Sequence, residues 1–399
     1  MIQHLIAPRN RLNVCSSSKL GLAAVLIGCW IVGISGCGGS PSTTSAPGKG
    51  LDAGHTTQST ARGLPPDAHS PDSVSLKSLE TAGVKLTANA KTGKFESADL
   101  TQIVVTDELA QQLASVDSLT QLVLRQSQLS QEGWKQLSKL TKLQHLDLRE
   151  CPLDDSSLSQ LTTSMRSLRS VRLSGKAGNC QITDAGLVFL ANLEELKVLA
   201  LDGVKIGTAT LERLTSCKAV AELYLAGTLV DDQSLSALVS LTEIKKIRLA
   251  QTSVSAAGLS TLASLPLEEL DVSECSKVDD AAANAIGKLT TLKRLNLWST
   301  AVGDEGVTQL AQLTRLQWLN LDNTKITDAA LPNLKELKEL GFIHLGSTAV
   351  SDAGLPALQT LSSLKKLIVT RTQVTKAGVE ALQKLMPAVD IQLQYVAGQ

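Results

Sequence analysis

The chain has 399 residues, with 38 basic and 38 acidic side chains that cancel to zero formal net charge. That balance excludes a general nucleic-acid binder, which needs a basic footprint. Hydrophobic residues make up 43%, ample for a core, and aromatic residues only 2%, so the positions of the few rings carry information.

Residues 1–37 read as an export signal. Arg9, Arg11 and Lys19 give a basic start, and Leu20 to Ile34 is apolar apart from small residues, the flanks expected of a signal. Ile34-Ser35-Gly36-Cys37 resembles a bacterial lipobox, in which the cysteine receives lipid and becomes the new N-terminus. Cys29, after Leu26-Ile27-Gly28, is a fallback site that shortens the apolar core. The competing reading is an uncleaved membrane helix; Leu20 to Gly36, about 17 residues, stands at the short limit for spanning. Residues 38–72 are rich in Gly, Ser, Thr, Pro and Ala and lack periodicity, so they read as a disordered tether. Its r.m.s. reach is on the order of 30 Å. Residues 73–94 carry Val74, Leu76, Leu79, Val84 and Leu86, enough apolar surface for an N-terminal cap.

Residues 95–385 repeat one skeleton, clearest from Leu316 to Leu337. Leu319 and Leu321 alternate with Trp318, Asn320 and Asp322, which predicts a strand with the leucines inward and the others outward. Leu331, Leu334 and Leu337 form one stripe of a helix. Thr327 and Asp328 stand at that helix start, suited to capping and to the positive helix end. One such unit cannot bury its own leucines, but stacked copies can. The second strand residue marks the register: Leu100, Leu124, Leu148, Leu173, Leu201, Leu225, Leu249, Val272, Leu297, Leu321, Leu345 and Val369. Most steps are about 24 residues, and Gly175 to Asn179 is a turn-type insertion.

On these residues the chain resembles the leucine-rich repeat proteins over about three quarters of its length. The phrasing of Ala177 to Leu190 (AGNCQITDAGLVFL) and Ser347 to Leu358 (STAVSDAGLPAL) is similar to the cysteine-containing subclass, known from F-box substrate receptors and from bacterial proteins. The resemblance implies an α/β solenoid, or horseshoe, of about twelve repeats, with a parallel sheet on the concave face and helices on the convex face. One unit departs: Gly207, Thr208, Ala209 and Thr210 replace its T-D-x-G phrase. Beyond Pro387, Val389, Ile391 and Leu393 alternate like one more strand, with Tyr395 after it. Residues 386–399 therefore read as a C-terminal cap and tail.

No chemistry-bearing constellation emerges. Cys15, Cys29 and Cys37 belong to the signal; Cys151, Cys180 and Cys275 stand where other units carry Thr, and Cys217 replaces a helix-stripe leucine. These are interior positions for small buried residues. Cys151 and Cys180 are the one plausible disulfide pair, left open by the insertion between them. The cysteines and histidines lack zinc-ligand spacing. No nucleophile triad or phosphate-cradling loop is present, so neither an enzyme nor a cofactor is expected. Asp154-Asp155, Asp231-Asp232 and Asp279-Asp280 fall at helix starts and read as caps.

The concave face remains. Its outward residues form three columns across neighbouring strands, in which Tyr224, Trp298, Trp318 and Phe342 fall, with Trp318 and Phe342 adjacent in one column and His344 beside Phe342. Such rings are centres of protein interfaces, or else cover neighbouring strands. Arg125, His145, Arg149 and Arg172 form a second, basic cluster for an anionic ligand, with Asp147 among them as an internal partner. Trp134 reads as core, Phe95 as closing the first unit, and Phe189 has no assigned place. The expected function is a non-enzymatic, lipid-anchored scaffold of the bacterial cell envelope that binds an unknown protein. The alternatives are an envelope-structural role with a cell-wall polymer as partner and, as the resemblance implies, an F-box-like substrate receptor, which the export signal contradicts.

Overall fold

The structure, a computed structural model, describes residues 71–394. The signal with Cys37, nearly all of the tether, and residues 395–399 with Tyr395 lie outside the described residues. The first described element is the helix Pro71–Thr81. Fourteen strands follow, stacked in chain order in one open sheet. Lys85–Ala88 pairs antiparallel with Phe95–Asp99. Every later pair is parallel, from Phe95–Asp99 through the repeats to Lys366–Ile368 and the last strand, Asp390–Gln392. Those between the first and the last are the twelve repeat strands, each followed by a short α or 3-10 helix on the convex side. The fold is a leucine-rich repeat solenoid with its parallel sheet on the concave face.

The leucines do what the alternation demands. Leu316, Leu319, Leu321, Ile326, Leu331 and Leu337 are fully buried, and the equivalents in neighbouring units join them in one continuous core. At the N-terminal end Leu79 and Val84 are buried, and Leu76 and Leu86 pack against the core; the side chain of Val74 lies outside the described residues. At the other end Val389 is buried, and Ile391 and Leu393 are partly so. Trp134 is core, and Phe95 and Phe189 are half-buried against it.

The T-D-x-G phrase has a mechanical reason that its spacing alone does not reveal. Thr327 caps its own helix by accepting from the Ala329 N–H at 3.2 Å. Asp328, next to it, reaches forward instead: its carboxylate accepts from the Ser351 N–H at 2.7 Å and the Ser351 hydroxyl at 2.6 Å, one unit on. Asp304 does the same for Thr327, and Asp352 for Thr375. The glycine makes room for the incoming carboxylate: a Cβ on Gly354 would stand 2.4 Å from Asp328 Oδ1, and one on Gly306 2.5 Å from Asp280 Oδ1. The departing unit obeys the same geometry. Thr210, in the glycine position, bonds Asp184 through its N–H at 2.9 Å and its hydroxyl at 2.5 Å. The paired acids divide the work. Asp154, Asp231 and Asp279 cap their own helices, while Asp155, Asp232 and Asp280 tie to the next unit. Two charge-assisted bonds to one half-exposed carboxylate put the cost of Asp328→Ala at about 1–3 kcal/mol. Chemical denaturation reads this directly; an unchanged midpoint would show that the ladder contributes nothing.

The third outward column is a correction. The strands of most units are three residues long, as in Trp318–Asn320. Just beyond them the chain turns through a left-handed residue: Gln126, Glu150, Gln251, Glu274, Ser299, Asn323, Ser347 and Arg371 all have positive φ. Non-glycine residues rarely adopt this region, at about 1–2 kcal/mol each. Here the turn aims the backbone N–H at the next unit, as from Asn323 to the Gly346 carbonyl at 2.9 Å and from Ser347 to that of Thr370 at 2.8 Å. Beside the turn several residues of the third column, Asp322, Ser273 and Thr370 among them, are buried instead of exposed, while Trp298, Arg125 and Arg149 stay half-exposed.

Cys151, Cys217 and Cys275 are buried and donate Sγ–H to the carbonyls of Leu124, Leu190 and Leu249 in the preceding units. Burial pushes the Cys151 thiol up to about 12. Cys180 is half-buried, and all four are free thiols.

Candidate concave-face interface

Strand register places the outward residues. Arg294, Trp318 and Phe342 are direct partners on three successive strands, and His344 is paired with Asn320 in the next column. The Trp318 and Phe342 rings stack with centroids 5.1 Å apart and planes 5° from parallel. On the other side of Trp318 the Arg294 guanidinium lies 4.7 Å from the ring centroid, a cation–π contact. Both faces of Trp318 are therefore covered, and the rings present their edges to the concave space. Lys366, next in the column, pairs with Asp390 at 3.5 Å.

The neighbouring polar groups are oriented by the turn. Asn296 Oδ1 accepts from the Trp298 N–H at 3.2 Å, and Asn320 Oδ1 from the Asp322 N–H at 2.9 Å. Each amide then has its Nδ2 donors left for the concave side. Trp298 is half-buried one unit before Trp318 and flanks the stack. Burial lowers the His344 pKa below its ordinary value, against the opposing pull of Asp322 and with a further push from Arg371. Burial thus favours the neutral imidazole beside the two rings.

Tyr224 is not part of this patch. Four units away, it donates its hydroxyl to Glu222 at 2.6 Å, under Lys246 at 5.3 Å from the ring centroid. Burial first, and then Glu222, raise its pKa. It belongs to a run of paired charges. Lys246 bonds Glu269 at 3.1 Å, and Arg248 bridges Asp202 at 2.8 Å and Asp271 at 3.2 Å.

The basic cluster is largely satisfied from within. Arg149 grips Asp147 with bonds of 2.5–3.0 Å, and Arg125 meets Glu150 at 3.3 Å. Glu150, a left-handed turn residue, was the partner that alternation along the strand does not bring to this face. Burial, then Arg169 and Arg172, lower the His145 pKa. Arg172 makes no ion pair among the described residues. Among these residues no group of three or more His, Cys, Asp or Glu side chains is placed to hold a metal, and no helix is long and apolar enough to cross a membrane.

Comparison with known proteins agrees with the repeat architecture. A model described as "Leucine Rich repeat" matches residues 139–161 and 288–311. No curated protein matches the chain. Among solved structures, an internalin from Listeria monocytogenes is similar at 20% identity and TM-score 0.55, covering 82% of this chain and 91% of that one. A TDR receptor is similar at 15% identity and TM-score 0.50, over 73% of this chain and 50% of that one. A leucine-rich repeat protein of Leptospira interrogans aligns at 17% identity and TM-score 0.47, over 71% and 80%. At these identities the structures speak for the fold alone. With the repeat skeleton and the strand register, the chain folds as a leucine-rich repeat solenoid, and two of its stretches match the leucine-rich repeat model.

Proposed function

We propose that the protein is a non-enzymatic binding scaffold, tethered by lipid at Cys37 to the bacterial cell envelope, that captures a protein on its concave face at Trp298, Trp318, Phe342 and His344. The observation that carries this reading is the stacked pair of Trp318 and Phe342, next to a middle section whose charges pair with one another. Half-exposed aromatic edges with free amide donors beside them are the composition of an interface centre. The cell-wall-polymer alternative draws less support, because a sugar ring stacks on an open aromatic face and both faces of Trp318 are occupied. Capture from envelope extracts, using a form that begins after Cys37, tests the scaffold. One protein recovered in stoichiometric amount supports it, and recovery of wall fragments alone overturns it.

The anchor has its own test. Cys37→Ser is expected to abolish acylation and to leave the protein unprocessed or released from the membrane. Normal processing and lipidation of this variant would remove Cys37 from the account and turn attention to Cys29.

A further inference from the structure

Cys151 and Cys180 hold the same place in two successive units, the place filled by Thr324 and Thr348 farther along. The insertion between them lengthens the step, but the chain is back in register when it reaches Cys180. The next residue, Gln181, donates its N–H to the Leu153 carbonyl at 2.7 Å, as Ala349 does to Ile326 at 3.1 Å and Gln373 to Val350 at 2.9 Å. Asp154 bridges Gln181 as Thr327 bridges Ala349. Side chains at this place touch between units: Cys275 Sγ lies 3.6 Å from Thr252 Oγ1, its equivalent one unit back. Units stacked about 4.8 Å apart fall within the roughly 4.4–6.8 Å between Cα atoms that a disulfide spans. Cys275 has threonines, Thr252 and Thr300, at the equivalent place on either side, and Cys217 has Leu193 and Leu241.

The unit before Cys151 supplies an independent observation. Elsewhere the side chain at this place donates to the carbonyl three residues back, as Thr228 does to Leu225 at 2.7 Å and Thr324 to Leu321 at 2.6 Å. The corresponding acceptor for Ser127 is Leu124, yet the Ser127 hydroxyl is buried without a partner. A carbonyl oxygen has two lone pairs. At Leu124 both are engaged, by the Ser127 N–H at 3.0 Å and by Cys151 Sγ at 2.9 Å. Turning Cys151 away from Leu124, toward the next unit, frees one lone pair for Ser127 and leaves no group of Leu124 unsatisfied.

We propose that Cys151 and Cys180 form a disulfide that joins the two units across the insertion. The inference rests on the export reading given above, because disulfides persist in an oxidising compartment and cytosolic thiols are kept reduced. The oxidant is an organic disulfide, R–S–S–R, presented by a small thiol or by a thiol–disulfide exchange protein. Cys180 is half-buried where Cys151 is closed to solvent, so Cys180 reacts first. As its thiolate it attacks one sulfur of the oxidant and forms a mixed disulfide; the displaced R–S⁻ takes up the proton that Cys180 gave up. Cys151 then attacks the Cys180 sulfur, and its proton leaves with the second R–S⁻. Two protein thiols are oxidised to one S–S bond, and R–S–S–R is reduced to two R–SH. The bond closes residues 152–179 into one covalent loop, which limits how far these units can open.

Peptide mapping tests the bond. The full chain is acid-quenched in cells, purified in detergent, alkylated with iodoacetamide in denaturant and digested with trypsin without reductant. Cys151 then lies in the peptide 150–166 and Cys180 in 177–197, each with one cysteine. The expected result is these two peptides joined, lighter than their sum by two hydrogens and parted by reductant, with Cys217 and Cys275 recovered singly. Cys180→Ser, at a half-buried position, should abolish the joined species and leave Cys151 alkylated. Both cysteines alkylated in the acylated protein would overturn the disulfide and leave the export reading standing. Both alkylated in a chain that stays unacylated in the cytosol would overturn the export reading. Oxidation of the purified chain by oxidised glutathione then decides the pair: joined peptides uphold the site, whereas a glutathione adduct left standing on Cys180, or no reaction, removes it.

Discussion

Leu321→Ala should destabilise the solenoid by about 2–5 kcal/mol, from lost burial and the cavity left behind. The residue is fully buried and sits between Leu297 and Leu345, its equivalents on the adjoining units, also fully buried. Its backbone N–H donates to the His344 carbonyl at 2.8 Å, and its carbonyl accepts from Thr324 Oγ1 at 2.6 Å. Truncation leaves those bonds in place and removes only packing, so the loss measures the core. Asn320→Ala is the comparison one residue away on the concave side. It gives up the bond from Asn320 Oδ1 to the turn, so a smaller cost is expected, about 0.5–1.5 kcal/mol. Denaturant titration of the two variants separates them. Equal losses would mean that the strand faces are exchanged, since a slip of one residue moves every side chain to the other face.

Trp318→Ala should weaken binding of the concave-face partner by about 2 kcal/mol or more, roughly thirtyfold, while the fold survives. The ring is the middle rung between Arg294 and Phe342, so its removal takes the support from both. A stability measurement on the same variant therefore belongs beside the titration. Arg125→Ala and Arg149→Ala should matter less and mainly at low salt, because exposed charges are screened and both arginines are already paired with Glu150 and Asp147. Unchanged affinity in Trp318→Ala with a large loss in the arginine variants would move the site to the basic cluster and its anionic ligand.

The fold was legible because period two and a 24-residue recurrence are both written in leucine. A stacked core admits little else at those positions, so the register of Trp318 beside Phe342 followed from counting. What stayed hidden lies between units. Asp328 looks like a first-turn acid for its own helix, and nothing within one unit shows that its carboxylate serves Ser351 of the next. The glycines that make room for such carboxylates, Gly306 and Gly354 among them, were readable only as part of a phrase. The left-handed turn was hidden for a different reason: Gln126, Gln251 and Glu274 are not turn residues by type, and the pairing of their N–H groups with the next unit imposes the conformation. That turn buried Asp322 and brought Glu150 to Arg125, two of the points where an outward column misled. At the candidate interface the sequence placed the aromatics but not the plane of their rings. The stacking of Arg294 on Trp318 depends on long side-chain rotamers that spacing does not encode.

The central claim is that a protein docks where Trp318 and Phe342 stand. A photoreactive phenylalanine analogue in place of Phe342, in the full chain expressed in its own envelope, tests it most directly. The same group is placed at Lys335, exposed on the convex helix Asp328–Glu336, as reference. The account predicts one discrete protein adduct on irradiation from position 342 and none from position 335. Adducts from position 335 alone, or only wall fragments from position 342, would contradict it.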